Sequence, residues 1–361
     1  MRILITGAAG YVGGMLADQF SRVPDVQEII AIDLLPRPGF LQDNKKIRWI
    51  EQDLSADGWQ GKVGVDIPEV VVHCAWQIRD SYIFDKKQYR QNVVAVEKLS
   101  SYCFEGGVKK LIYFSTISSY GAFPTNTTTH RFIENDPPRE KEFRYGVQKK
   151  EAEVFLKKRY LASDKKTQVF ILRPATIAGP RERYMMGKKG LVYMLRPDEQ
   201  IGLEHKKRFT LMTLLRRLLF AMPIASSEWC RQYIHEDDVT DIVGLLVFGK
   251  VVDRYEVFNI SPDDIVRADD MATIFGRKKL SVRPWMVRLA FALAWHVTWG
   301  KIPTSRGGWR FYCYPIAVDG SKITRKYHFA YQYSSRDALT KDEGRYAFAK
   351  MENVIPTGDL P

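Results

Sequence analysis

The sequence predicts an α/β fold, a doubly wound parallel sheet followed by a smaller C-terminal lobe. Short apolar runs alternate with helical patterns as far as residue 180, as strands joined by crossover helices do. The first run, Arg2-Ile3-Leu4-Ile5-Thr6, leads straight into Gly7-Ala8-Ala9-Gly10-Tyr11-Val12-Gly13, a three-glycine turn that opens a helix. The second, Glu28-Ile29-Ile30-Ala31-Ile32-Asp33, ends in an acid about 20 residues past the glycines. The 361 residues exceed what one compact core usually holds. Residues 1–180 are therefore expected to form one domain, which the chain rejoins around 231–260. Residues 181–361 are expected to form most of the second lobe.

The first two elements point to a dinucleotide. Gly7 permits a tight turn, Gly10 lets backbone approach phosphates without a Cβ in the way, and Gly13 lets helix and strand pack closely. With Tyr11 and Val12 they form a pyrophosphate cradle at a helix N-terminus, where the dipole and free N–H groups favour an anion. The glycines fall three apart, a spacing that differs from G-x-G-x-x-G. Asp33 is placed to accept hydrogen bonds from ribose hydroxyls in a Rossmann-type domain. A carboxylate there repels a 2′-phosphate, so NAD is favoured over NADP, although nearby Arg37 pulls the other way.

The later elements continue the pattern. Asp53-Leu54 follows the third strand, Val71-Val72-His73-Cys74-Ala75 ends the fourth, and Asn92 lies on the next helix. Leu111–Gly121 reads as a fifth strand and a Ser115-Thr116-containing turn, followed by Tyr145-Gly146-Val147-Gln148-Lys149. Leu172-Arg173-Pro174-Ala175-Thr176-Ile177-Ala178-Gly179-Pro180 and Gln232-Tyr233-Ile234-His235-Glu236-Asp237-Asp238-Val239 complete it. Together these motifs resemble the extended short-chain dehydrogenase/reductases of the NAD-dependent epimerase/dehydratase family, over about two-thirds of the chain. The resemblance implies that Asp53 and Leu54 contact adenine and that Ala75 lines the cofactor. It implies that Asn92 supports the active-site backbone, and that Ser115, Tyr145, Lys149 and Arg173 belong to the cofactor site. It also implies a homodimer, formed through helices near 84–106 and 145–160.

The chemistry can be read from residue types as well. Tyrosine titrates near ~10 and is a poor base at neutral pH unless a cation stabilises its phenolate. Lys149, four residues after Tyr145 on one helix face, can supply that charge and reach a bound ribose. Tyr145 then acts as general acid/base during hydride transfer at a secondary alcohol, with Thr116 holding the substrate oxygen. A tyrosine and a lysine four apart also occur as ordinary cation–aromatic surface pairs. The glycine turn, Asp33 and Thr116 weigh toward catalysis.

Composition narrows the partners. Net charge is +13, from 55 basic and 42 acidic residues, which draws in anionic small molecules. The basic pairs are dispersed and no recognition-helix or zinc-finger pattern appears, so nucleic acid is not expected as a partner. Cys74, Cys103, Cys230 and Cys313 are scattered without metal-ligand spacing and read as reduced, buried thiols, with no metal site. A strand beginning at residue 2 leaves no room for a signal peptide, so a cytoplasmic location is expected. The apolar run 284–299 is too short to span a bilayer and is interrupted by Arg288 and His296. Core or dimer packing is the favoured reading for it; a cover for an apolar substrate or a peripheral membrane contact is the other. Phe209–Met222 reads as an amphipathic helix that could wall the substrate pocket.

Substrate signals divide. Arg231 stands where nucleotide-sugar epimerases of the family place an arginine on the substrate diphosphate, and a guanidinium suits that contact. The asparagine those enzymes usually carry before the Gly-Pro turn is absent from Pro174–Pro180. The Asp-Glu pair of the dehydratases is also absent, Ile117 and Ser118 standing in its place. Epimerisation of a nucleotide sugar is therefore the leading expectation. An NAD(P)-dependent dehydrogenase of a hydrophobic alcohol, of the hydroxysteroid or flavonoid-reductase kind, is the alternative, and a non-catalytic cofactor-binding protein is the third.

Overall fold

A computed structural model describes residues 1–83, 85–164, 166–181, 221–276 and 278–347. Its centre is the expected Rossmann-type sheet. Seven strands lie parallel: β1 (Arg2–Thr6), β2 (Glu28–Asp33), β3 (Ile47–Glu51), β4 (Val70–His73), β5 (Lys110–Phe114), β6 (Gln168–Pro174) and β7 (Tyr255–Ile260). Their order is β7-β6-β5-β4-β1-β2-β3. Thr6 pairs with Ile32 on one side and His73 on the other, so the order reverses between β1 and β4. In such sheets the crevice beyond the carboxyl ends of the two strands at the reversal is where ligands bind.

The strands are almost wholly apolar because both faces are covered. Alternate residues serve opposite layers, as the two-residue period of a strand requires. Ile3, Ile5, Ile29, Ala31, Val70 and Val72 share a core with Leu16 and Phe20 of α1 (Tyr11–Ser21). Leu4, Ile30, Ile32 and Val71 share the other with Leu99 and Cys103 of α2 (Ala95–Gly106) and with Ala152 and Leu156 of α3 (Arg144–Ala162). Val239, Ile242, Val243 and Leu246 of α4 (Glu236–Phe248) return to the first core. A third apolar cluster gathers Trp229, Tyr233, Val266, Met271, Phe275 and Leu339.

Two expectations change. The helix expected over Phe209–Met222 falls mostly outside the described residues, and at its end Ala221 and Met222 begin a strand, Ala221–Ile224, paired with Lys278–Ser281. The run at 284–299 does form a helix, α5 (Pro284–Val297), started by proline at its first position. No residue of it is buried, so the core reading is overturned. Among the described residues, part of the hydrophobic stripe of α5 is left uncovered. All four cysteines are free, three of them buried and Cys74 half-buried. Among the described residues no helix is long and apolar enough to cross a membrane.

Candidate active site

The glycine turn sits in the crevice at the strand reversal. Gly7 has φ +70°, and a Cβ there would lie 2.5 Å from the Ala75 backbone nitrogen just past β4. A side chain at Gly13 would run into the Gly7 carbonyl, so the first turn of α1 can press onto β1 only because Gly13 has none. The cap residue Gly10 makes no side-chain hydrogen bond to the first turn of α1, so Tyr11 and Val12 begin an N-terminus without a side-chain cap. Thr6 Oγ1 and His73 Nδ1 share a hydrogen bond of 2.7 Å that ties β1 to β4 beneath this turn.

Asp33 ends β2 beside the cradle. Its carboxylate accepts from the Ala9 N–H at 2.9 Å and the Leu35 N–H at 3.0 Å, linking acid and turn directly. Burial pushes its carboxyl above the usual range, while those amides oppose the shift. Arg37 takes a different part from the one its sequence position suggests. Its guanidinium donates to the carbonyls of Ile47 at 3.2 Å, Asn44 at 2.7 Å and Leu41, stapling the loop after β2. Asp53 accepts from the Ser55 N–H at 2.7 Å and from Gln91 at 3.2 Å. Burial raises its carboxyl, but those bonds and nearby Arg90 outweigh burial and leave it lowered. Leu54 beside it is buried in the second core.

Asn92 lies in a π-helical turn, Arg90–Val94, set between Asp85–Tyr89 and α2. Such turns redirect side chains and recur at functional sites. Asn92 accepts from the Gln77 N–H at 2.8 Å and donates to the Gln77 carbonyl at 3.0 Å and to Gln148 Oε1 at 2.8 Å. It thereby joins the loop after β4 to the residue preceding Lys149.

Tyr145 and Lys149 stand in the first turns of α3. The Tyr145 phenol is hydrogen-bonded to Thr116, and burial pushes it above the ordinary tyrosine value despite that bond. Lys149 is buried; its ammonium donates to the Phe114 carbonyl and lies 3.7 Å from the centre of the Trp76 ring. Burial holds it well below the ordinary lysine value, with Cys74 and Glu153 opposing. Thr116 caps the short helix Ile117–Tyr120, accepting from the Ser118 N–H at 3.1 Å.

Ser115 and Arg173 are placed differently. Ser115 donates its hydroxyl to Glu153, and Arg173 meets the same carboxylate through Nε at 3.0 Å and Nη2 at 2.5 Å. Arg173 Nη1 also donates to the Tyr120 hydroxyl at 2.7 Å. Both side chains are spent in a buried ionic cluster joining β5, β6 and α3. Arg231 is buried, with Nη1 donating to the carbonyls of Cys230 at 2.6 Å and Tyr314 at 2.9 Å. Its Nη2 has no hydrogen-bond partner among the described residues. Burial lowers it to about 10, so it stays charged at neutral pH. Rings connect it to Tyr145: Phe143 is 5.9 Å from Tyr145 and 5.0 Å from Phe311, and Arg231 is 5.8 Å from Phe311.

Sequence reasoning passed over Glu140, Gln148 and Trp76. Glu140 Oε1 accepts from the N–H groups of Lys141, Glu142 and Phe143 at 2.8, 2.8 and 3.0 Å and from buried Arg310. It fixes the start of α3 and so the place of Tyr145. A lone glutamate before a helix carries no signal that Arg310, 170 residues away, will meet it.

The profile of the NAD dependent epimerase/dehydratase family matches residues 3–261. The chain belongs to this family. NAD is the cofactor of the family, and the residues present fit it: a cradle that a Cβ would fill, an acid hydrogen-bonded to that cradle, and a nearby arginine turned away. UDP-glucose 4-epimerase of Mycolicibacterium smegmatis (strain ATCC 700084 / mc(2)155) is 28% identical over 190 residues, spanning 50% of this chain and 58% of that protein. Two solved structures illustrate the shared fold. MoeE5 in complex with UDP-glucuronic acid and NAD superimposes with a TM-score of 0.67 at 22% identity, covering 94% of this chain and 97% of the other. UDP-glucuronic acid 4-epimerase from Bacillus cereus, in complex with UDP-glucuronic acid and NAD, gives 0.67 at 21% identity, covering 94% and 96%.

Proposed function

We propose that this family member is an NAD-dependent oxidoreductase that epimerises a nucleotide sugar by reversible hydride transfer at a secondary alcohol. The observation that supports this reading is the pairing of Tyr145 with Thr116 just past β5, with buried Lys149 reaching the Phe114 carbonyl at the end of the same strand. In it, residues 1–180 with 231–260 form the cofactor unit and the remainder most of a substrate lobe. The Gly7–Gly13 turn holds the pyrophosphate, Asp33 the adenosine ribose, and Asp53 and Leu54 the adenine, with Ala75 lining the crevice. The cofactor, when bound, supplies the hydride acceptor. Thr116 holds the substrate oxygen, Tyr145 moves the proton on that oxygen, and Lys149 supplies the cation that favours release of the phenolic proton. Asn92 ties the loop after β4 to Gln148, the residue next to Lys149. Arg231 is charged and buried, and its Nη2 has no partner among the described residues, properties that suit a diphosphate.

The deciding experiment is mass spectrometry and absorbance of the denatured, purified protein for retained nucleotide, followed by incubation with UDP-sugars and with hydrophobic secondary alcohols. Retained NAD with sugar interconversion and no net NADH is the expected result. Empty protein that releases NADH only with an apolar alcohol would replace the epimerase reading with the dehydrogenase one.

A further inference from the structure

Helix α5 presents an apolar face that the rest of the described chain leaves uncovered. Trp285, Met286, Leu289, Leu293 and Val297 follow one another at helical spacing along it, and all are exposed, Trp285 at 59% and Val297 at 75%. Trp299, at 68%, and Ile302 extend the stripe beyond the helix end. The opposite face is the one that holds α5 to the protein. Phe291 packs on Tyr312 at 5.1 Å, and Trp295 packs at 5.5 Å on Tyr82, whose hydroxyl meets His296 at 3.0 Å. The loop carrying Tyr82 adds exposed Ile78 and Ile83.

The stretch of chain that carries this face has charge of one sign. From Met271 to Val318 the sequence has no Asp or Glu and eight Lys or Arg, so this stretch alone carries eight of the chain's thirteen net positive charges. Lys279 is paired with Asp269 and Arg310 with Glu140. Lys278, Arg283, Arg288, Lys301 and Arg306 form no ion pair among the described residues, and all five are exposed.

We propose that α5 and its flanks dock this protein on an anionic lipid surface, with the apolar stripe at the headgroup–acyl boundary and the basic residues on lipid phosphates. Tryptophan favours that boundary, apolar burial supplies attraction, and each nearby basic residue adds to it on a negative leaflet. The same basic rim argues against a second copy as occupant, because a two-fold contact would lay that rim on itself. A cleft of about 310 Å³ lined by Asp80, Lys141, Glu142, Arg144, Trp295, Ser305 and Arg306 adjoins the inner side of α5. The proposal is independent of the sugar reading.

The test is co-sedimentation of the full chain with vesicles of phosphatidylcholine alone or mixed with phosphatidylglycerol, at low and high salt. Binding is expected on the mixed vesicles, weakened about tenfold or more by high salt or by omitting phosphatidylglycerol. A Leu289→Glu/Leu293→Glu variant should lose binding by a similar factor while keeping its melting temperature, since both side chains face solvent. Arg283→Gln/Lys301→Gln should lessen binding and its salt dependence. No binding to mixed vesicles, or equal binding to neutral ones, would overturn the proposal. So would a wild-type dimer that Leu289→Glu converts to monomer, which would make a second copy the occupant.

Discussion

Asp33 and Arg37 are four residues apart, and the fold gives them opposite duties. Asp33 reaches into the glycine turn, whereas Arg37 closes its own loop on three carbonyls. Asp33→Ala should therefore weaken NAD binding about tenfold or more through lost charged hydrogen bonds. Relative preference should shift toward NADP as repulsion is removed, without Arg37 supplying a new phosphate contact. Titration of both cofactors checks this, and an unchanged NAD/NADP ratio would remove Asp33 as the ribose acceptor. Tyr145→Phe keeps the ring and deletes the hydroxyl that meets Thr116. Turnover should fall at least ~100-fold with NAD binding intact. Full activity in that variant would exclude Tyr145 from proton transfer. These residues were legible because their types and spacing carry chemistry. Resemblance assigns Ser115 and Arg173 to the cofactor site, but their side chains serve Glu153, a partner that sequence distance conceals.

Helices here serve as holders of single atoms. The start of α3 is fixed by Glu140, and the Asn92 turn is widened by one π-helical step to reach Gln77 and Gln148 together. Glu140→Ala would leave three N–H groups and the buried Arg310 guanidinium without their acceptor, a loss of about 3–5 kcal/mol. Urea unfolding measures it. Glu140→Gln keeps an acceptor and should lose markedly less; equal losses in the two variants would show that the carboxylate's hydrogen bonds are not what matters. The period of α5 was legible as a helix, but periodicity measures how wide an apolar stripe is and not what lies against it. Its exposure could be known only once the neighbouring chain was in place.

At the scale of the molecule, stability depends on acids that folding removes from water. Asp238, in the first turn of α4, is raised from 3.8 to about 6, by burial first, with N–H bonds from Gln332 and Tyr333 opposing. The folded state thus holds that proton more tightly than the unfolded chain, so its contribution is present at low pH and is lost as pH rises through about 6. His73, lowered to about 3 by burial and by Lys149, acts in the opposite sense and loses stability as pH falls. The informative quantity is therefore a difference. Asp238→Asn should gain on the wild type in unfolding free energy as pH rises from 3.8 to about 6, and a constant gap across that range would refute the shift. The sequence by itself determined the parallel sheet, the glycine turn, Asp33 and the Tyr145–Lys149 spacing, because each is set by local period, steric need or helical repeat. Tertiary structure alone decided where Arg37 and Arg173 spend their charge, that Glu140 meets Arg310, and that α5 faces outward. Those outcomes depend on which distant groups folding brings within a few ångströms, and no local pattern encodes that.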